Sequence, residues 1–154
     1  MTLPPLRGTS LAGRLRQFPQ DLPDSPVALV FGFAHDARHD VQRWRRALDG
    51  HGLPWLSLPS TVEDVPARAM AGVAEAMKAH VPEAGWESIV QVNHGAGALM
   101  EAMGWRHDPN AKVLVTDRSG DILASHDHGE FNDEALRVIV FALTHGAGHP
   151  TLEA

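Results

Sequence analysis

The stretch from Val27 to Leu48 constrains the fold of this chain more than any other part of the sequence. It begins with an apolar run, Val27 to Phe33, of the kind found in strands that are buried on both faces. A helical pattern follows, in which Val41, Trp44 and Leu48 fall on one face. A buried strand that feeds a helix through a short junction is the building unit of parallel α/β sheets. The sequence therefore predicts an α/β fold.

The junction between this strand and this helix reads Ala34-His35-Asp36-Ala37-Arg38-His39-Asp40. His35 and His39 are four residues apart, so on a helix they share one face. Two neutral imidazoles placed in this way can bind one metal ion, and Asp36 or Asp40 would add an oxygen ligand. One hypothesis is therefore a divalent transition metal site at His35, Asp36 and His39. The alternative is that these are ordinary surface side chains at the end of an element.

A second histidine cluster, His126-Asp127-His128, follows a predicted hairpin. On a strand, His126 and His128 would point to the same side, which suits chelation. This end of the hairpin need not lie near the first helix. We therefore treat His126 and His128 as a separate and weaker candidate metal site.

The remaining pattern predicts a mixed sheet with helices on both sides, in a single domain over 1–154. In the first half we expect a proline-rich, extended lead-in over 1–26 that includes a short strand or turn, then the buried strand and first helix, and then a strand over 53–58. A helix that ends before Pro82 follows, with one face marked by Ala69, Val73, Ala76, Met77 and His80. In the second half we expect a strand over 87–92, a short helix over 98–103, a strand over 112–116, a turn at Asp117-Arg118-Ser119-Gly120 that leads into a strand over 122–125, a last helix over 132–143, and a flexible tail over 145–154.

Charge and composition restrict the partners. The formal net charge is −6, which argues against nucleic acid or an anionic membrane surface as the main partner. The sequence shows no signal peptide and no apolar run of the length that spans a membrane, so a cytoplasmic location is expected. The chain has no cysteine, which excludes disulfides, thiolate metal sites and cysteine nucleophiles.

The order of these elements resembles the thioredoxin-like superfamily, in its peroxiredoxin and TlpA-type thiol-disulfide branch. The resemblance covers about residues 6–144 and rests on the order and spacing of several short pieces. These are Leu6-Arg7-Gly8 with Leu11-Ala12-Gly13, the strand Val27 to Phe33, residues 89–104, and Val113-Leu114-Val115-Thr116-Asp117-Arg118-Ser119-Gly120-Asp121-Ile122. The resemblance implies a three-layer α/β/α sandwich with a mixed central sheet.

The resemblance also locates a functional surface. Relatives carry Cys-x-x-Cys, or a single peroxidatic cysteine, at the start of the first helix. Counting from Phe31 puts Asp36 and His39 at the two sulfur positions, give or take one residue. Relatives also carry a cis-proline before the third core strand, facing this site, and Pro109 lies about two residues early for that role. The thiol chemistry of such relatives therefore has no side chain to perform it here.

Three functions remain as hypotheses. The first is a cysteine-free, non-redox binding or chaperone-like module, with a recognition groove at Ala34, His35, Asp36, His39 and Pro109. The second is a metal-binding protein or metal-dependent enzyme that uses the histidine cluster of the junction. The third is an oligomerising structural protein, a homodimer formed through a sheet edge or a helix face. Neither the ligand nor the protein partner can be named from the sequence.

Overall fold

The computed structural model describes residues 1–146 of the 154-residue chain. The strands are β1 (Leu6–Ser10), β2 (Leu15–Phe18), β3 (Val27–Gly32), β4 (Trp55–Pro59), β5 (Val90–His94), β6 (Lys112–Thr116) and β7 (Ile122–His126). The α-helices are α1 (Arg38–Gly50), α2 (Ala71–Lys78), α3 (Ala96–Met103) and α4 (Asp133–His145). Short 3₁₀ helices cover His35–Ala37, Ala67–Met70 and Glu83–Ser88.

The sheet is mixed, as the order of elements predicts. β3 lies at its centre, parallel to β4 and antiparallel to β6, and β6 pairs antiparallel with β7. A second set of strands has the order β2-β1-β5. Two isolated parallel bridges, Ser57 to Ile89 and Ser60 to Val92, connect β4 with β5 and so join the two sets.

Helices cover both faces of this sheet. Because side chains alternate along a strand, Leu29 and Phe31 of β3 pack in one apolar cluster with Leu99 of α3. Val30, from the same strand, packs in the other cluster with residues of α1 and α4 such as Trp44. The predicted three-layer α/β/α arrangement around a mixed central sheet is therefore confirmed.

The lead-in is more regular than expected. Residues 6–18 form an antiparallel hairpin, in which Leu6 pairs with Phe18 and Gly8 with Arg16. The prolines on which the expectation of an extended lead-in rested precede β1, follow β2 and precede β3. They flank the strands rather than interrupt them, so each ladder keeps its backbone donors.

The strand predicted over 87–92 begins later, at Val90, and extends to His94. Residues 83–88 instead form a 3₁₀ helix that follows Pro82, and the Trp86 indole N–H donates to the Val81 carbonyl oxygen at 2.9 Å. That bond closes a local turn, which delays the strand.

The last helix is longer than predicted, because it continues to His145. Its first turn is capped by the Asn132 side chain, which accepts from the Ala135 N–H at 2.8 Å. The flexible tail predicted over 145–154 lies outside the described residues from residue 147 onward. Within residues 1–146, no helix combines the length and the apolar character that crossing a membrane requires.

The face of α2 that the apolar spacing marks is not buried against the sheet. Val73 is 58% exposed, and α2 buries none of its side chains. The sheet surface on this side carries the carboxamides of Gln91 and Asn93, which donate to backbone carbonyls of the segment before α2 at 3.3 and 2.8 Å. Polar bonds therefore hold this segment, in place of the apolar packing that the spacing predicts.

Candidate functional site

The junction after β3 presents its polar side chains to solvent, as the sequence predicts. Ala34, His35, Asp36 and His39 are all exposed. Ala37 and Asp40, by contrast, are buried, with exposed fractions of 1% and 5%. These two residues lie one position beyond the pair obtained by counting from Phe31. If the count from Phe31 is shifted by one residue, Ala37 and Asp40 take the two sulfur positions. The one titratable side chain of this pair, that of Asp40, is buried.

Asp40 connects three segments of the chain. One of its carboxylate oxygens, Oδ2, accepts from the Ala111 backbone N–H at 2.8 Å, and Oδ1 accepts from the Phe131 N–H at 2.7 Å. The Arg43 guanidinium lies 3.9 Å from Oδ1. Ala111 and Phe131 are 71 and 91 residues away from Asp40 in sequence, so Asp40 fixes the start of α1 to the loops before β6 and after β7.

The loop over 105–111 is held beside the junction at both ends. At its start, the Trp105 ring packs against Phe33 and Phe31, with ring centroids 5.9 and 5.5 Å apart. At its end, Ala111 is bonded to Asp40. Pro109 is exposed between these two anchors. We call residues 34–40, 105–111 and 126–131 together the junction site.

Lys112 lies under the junction site, at the first residue of β6. It is 1% exposed, and its ammonium donates to Asp108 Oδ2 at 2.8 Å and to the Asp127 carbonyl oxygen at 3.1 Å. Asp127 also accepts from the Trp105 indole N–H at 3.0 Å through its carboxylate. A buried lysine is stable only when it is paired and hydrogen-bonded in this way. Lys112 is not among the site residues predicted from the sequence, and a lysine that opens a largely apolar strand is the signal that could have indicated it.

The Asp108 carboxyl has a lowered pKa. Partial burial by itself raises this pKa. The hydrogen bonds from the Lys112 ammonium and from the Asn110 N–H, and the nearby positive charges of Lys112 and His128, lower it, and their combined effect is the larger one. Asp108 is therefore held in its charged form and stabilises the folded state as long as it stays ionised.

This shift predicts a pH dependence for Asp108→Asn. The pKa of Asp108 is lower in the folded chain than the value of about 3.9 expected when unfolded, so its contribution is present above about pH 4 and is lost as the pH falls through the folded-state pKa. We expect Asp108→Asn to lower the free energy of unfolding by on the order of 1 kcal/mol at neutral pH. The difference in the free energy of unfolding between wild type and Asp108→Asn should become smaller below about pH 4.

Urea denaturation at neutral pH and in steps down to about pH 3 measures this difference in the free energy of unfolding. Asp36→Asn, at an exposed aspartate of the same site, is the control and should leave the free energy of unfolding nearly unchanged at every pH. A difference between wild type and Asp108→Asn that stays constant with pH would show that the ionised carboxylate adds nothing.

The end of β7 and the segment after it pack against α1, which corrects the expectation that the hairpin end need not lie near the first helix. The His126 ring lies over Trp44, with centroids 5.4 Å apart. Farther along, Arg43 of α1 pairs with Glu130 at 3.3 Å. The bond from Phe131 to Asp40 draws this segment across the start of α1, and the two histidine clusters therefore belong to neighbouring segments.

Neither histidine cluster forms a group of metal ligands. Within residues 1–146, no three side chains among His, Cys, Asp and Glu are gathered in a geometry that could hold a metal ion. His35 contacts the Arg38 guanidinium, and His128 pairs with Asp127 at 3.3 Å. The site at His35, Asp36 and His39 and the one at His126 and His128 both stay predictions.

The peptide bond before Pro109 is not cis. Over residues 1–146, the cis bond is the one between Phe18 and Pro19, in the loop after β2. Pro109, an exposed residue of the loop over 105–111, therefore lacks the cis geometry of the proline that the resemblance implies.

Comparison with known proteins shows similarity of structure rather than of sequence. No protein-family model matches the sequence, and neither does any curated protein. A thio-disulfide isomerase from Thermus thermophilus aligns with a TM-score of 0.58 and 18% identity, covering 96% of each chain. The pneumococcal exposed lipoprotein thioredoxin from Streptococcus pneumoniae gives 0.58 and 15% identity, covering 92% of this chain and 98% of that chain.

An uncharacterized conserved protein from Geobacillus kaustophilus aligns with a TM-score of 0.61 and 17% identity, covering 97% of this chain and 84% of that chain. At such identities the likeness concerns the fold alone. The element order, the mixed sheet around β3 and these alignments agree with one another. The chain has the thioredoxin-like fold, and it has that fold without a single cysteine.

Proposed function

We propose that this chain is a non-redox, chaperone-like binding module that recognises an extended polypeptide segment at the junction site. The observation that carries the proposal is the pair of bonds to Asp40, which joins the exposed start of α1 to the two loops beside it. Side chains exposed on segments that are fixed to one another form a surface prepared for a ligand, so binding costs less ordering of the protein. The groove residues are Ala34, His35, Asp36, His39 and Pro109.

The lack of cysteine is compatible with this function. A junction site in a thioredoxin-like fold that carries no sulfur can contact a polypeptide but cannot exchange a disulfide with it. The exposed surface offers a small apolar residue, Ala34, next to polar side chains, while the preceding residue, Phe33, is half-buried. Such a mixture suits an extended segment whose backbone and side chains are both recognised.

The test uses reduced, carboxymethylated α-lactalbumin as an unfolded polypeptide probe, with binding measured by isothermal titration calorimetry. We expect Ala34→Arg, which places a long charged side chain on the groove, to weaken binding by at least about tenfold. Ser119→Arg is the matched control. Ser119 is exposed in the turn after β6, at the opposite end of that strand from Lys112, and its variant should bind like wild type.

Equal binding by wild type and by both variants would refute the proposed location, and failure of wild type to bind would refute the proposed function. Elemental analysis of the dialysed protein separates the metal alternative. Metal bound near stoichiometrically, and lost in both His35→Ala and His39→Ala but not in Arg38→Ala, would replace our proposal with the metal-dependent function.

Some backbone groups on both outer sheet edges already have partners within the chain, which favours the binding module over a homodimer formed through an edge. On β2, the Gln17 N–H donates to Asp21 Oδ2 at 2.6 Å, and the Gln17 carbonyl oxygen accepts from the Asp21 N–H at 2.8 Å. On the other edge, Ile122 at the start of β7 donates its N–H to the Met1 carbonyl oxygen at 2.9 Å. Backbone groups that are already bonded do not pair with a second sheet. A mass near twice 16.7 kDa in light scattering would favour this alternative nonetheless.

A further inference from the structure

The helix α2 differs from the other helices in how it packs. α1, α3 and α4 each bury several side chains, among them Leu48, Leu99 and Ile139. α2 buries none, and neither does the 3₁₀ helix over Ala67–Met70 that leads into it. A surface helix normally buries an apolar stripe against the sheet, and packing of that stripe supplies most of its stability. The space between α2 and the sheet is therefore incompletely filled.

A cleft of about 300 Å³ occupies that space. It is open to solvent and lies between α2 and the end of β1 with the loop that follows. Five of its eleven lining residues are small or apolar, namely Leu11, Gly13, Ala67, Ala71 and Ala74. Its volume is at the lower end of the range of small-molecule pockets, about 300–1,000 Å³. The walls thus leave room for one small apolar body.

Polar groups surround the cleft. Thr9, Ser10 and Gln91 also line it. The Gln91 side-chain amide donates one bond, to the Met70 carbonyl oxygen, and an amide of this kind has two N–H donors. Hydroxyl and amide donors close to an apolar wall suit a ligand that carries acceptor oxygens at one end.

The charges that line the cleft are those of Arg68, Glu75 and Lys78. Glu75 and Lys78 neutralise each other in an ion pair of 3.1 Å, and Lys78 also lies over the Trp86 ring at 5.3 Å. Arg68 makes no ion pair within residues 1–146. One guanidinium therefore remains to bind an anion, and its planar fork matches the two oxygens of a carboxylate.

We propose that this cleft is a binding site for a small monocarboxylate with an apolar body. The body fills the space beside Ala71 and Ala74, and the carboxylate pairs with Arg68. Filling the space gives α2 the apolar contacts that the protein alone does not provide, so the ligand stabilises the helix as it binds. The proposal does not depend on the junction site, which involves other segments of the chain.

The experiment is a titration of the ¹⁵N-labelled protein with sodium octanoate, followed by amide chemical shifts. We expect saturable shifts at Gly13, Ala71 and Gln91. n-Octylammonium chloride has the same apolar body with the opposite charge, and we expect it to bind at least about tenfold more weakly. Equal binding of the two ions, or shifts that do not saturate, would overturn the proposal.

Two variants locate the site. Arg68→Gln removes an exposed charge and should weaken octanoate by about tenfold, whereas Arg118→Gln, at an arginine exposed in the turn after β6, should not. Ala74→Leu should fill the cleft and abolish binding, in a protein whose amide spectrum remains dispersed. Unchanged octanoate affinity in Arg68→Gln would refute the assignment.

Ala34→Arg should leave octanoate binding intact, so this test and that of the junction site fail independently.

Discussion

Asp40→Ala should lower the free energy of unfolding by about 3–5 kcal/mol, because hydrogen bonds to a charged group contribute about 1.5–3 kcal/mol each. The carboxylate is 5% exposed and accepts from the backbone of Ala111 and of Phe131. Alanine would leave the buried Ala111 N–H without an acceptor. Asp40→Asn keeps one acceptor oxygen and should fall between wild type and alanine.

Chemical denaturation followed by circular dichroism measures these changes. Asp36→Ala is the matched control, since Asp36 is an exposed aspartate four positions earlier in the same junction. It should change the free energy of unfolding by no more than about 0.5 kcal/mol. If Asp40→Ala also changes the free energy of unfolding by no more than about 0.5 kcal/mol, the buried carboxylate does not hold the junction site together. The junction site would then not be a surface prepared for a ligand.

Lys112→Met is expected to cost about 2–4 kcal/mol, close to the range for breaking a buried ion pair. Methionine has a similar length and no charge, so the loss arises from the polar groups that Lys112 leaves behind. These are the Asp108 carboxylate and the Asp127 carbonyl oxygen. Asp108 is partly exposed and can regain some water, which places the expected cost below that of a fully buried carboxylate.

The other lysine of the chain provides the control. Lys78 forms a surface pair with Glu75, and Lys78→Met should cost no more than about 1 kcal/mol. Lys112→Met should also raise the pKa of Asp108, because its strongest hydrogen-bond donor is removed. The dependence of stability on pH below about pH 4 should weaken accordingly. Similar losses in the two lysine variants would show that the burial of Lys112 has no energetic consequence.

The parts of the fold that local patterns determine could be predicted from the sequence. β6 has the predicted bounds, Lys112 to Thr116. The turn that follows is closed by Asp117, whose side chain accepts from the N–H groups of Ser119 and Asp121. For β6 the signal is a local apolar run, and for the turn it is Asp117, whose bonded partners are only two and four residues away.

The elements that depend on distant partners could not be predicted in this way. α2 has a helical apolar spacing, but whether that face is buried depends on the sheet beneath it, where Gln91 and Asn93 are polar. The prolines of the lead-in indicate breaks, whereas the strand β1 that lies between them is paired with β2 and also with the distant β5.

The candidate site likewise has residues that could be predicted from the sequence and residues that could not. The exposed residues from Ala34 to His39 follow from their place after a buried strand. The roles of Asp40 and Lys112 depend on contacts with other segments. One signal for Asp40 was present, since it lies four residues before Trp44 and eight before Leu48, on the face that α1 buries. The face predicted from the sequence comprises Val41, Trp44 and Leu48, and of these Val41 is only half-buried.

The most direct test of the account is to map where an unfolded polypeptide contacts the protein. Amide shifts of the ¹⁵N-labelled chain would be followed as unlabelled reduced, carboxymethylated α-lactalbumin is added. We expect shifts confined to the junction site, residues 34–40, 105–111 and 126–131. Shifts confined to the turn after β6 or to α2, or no shifts at all, would contradict it.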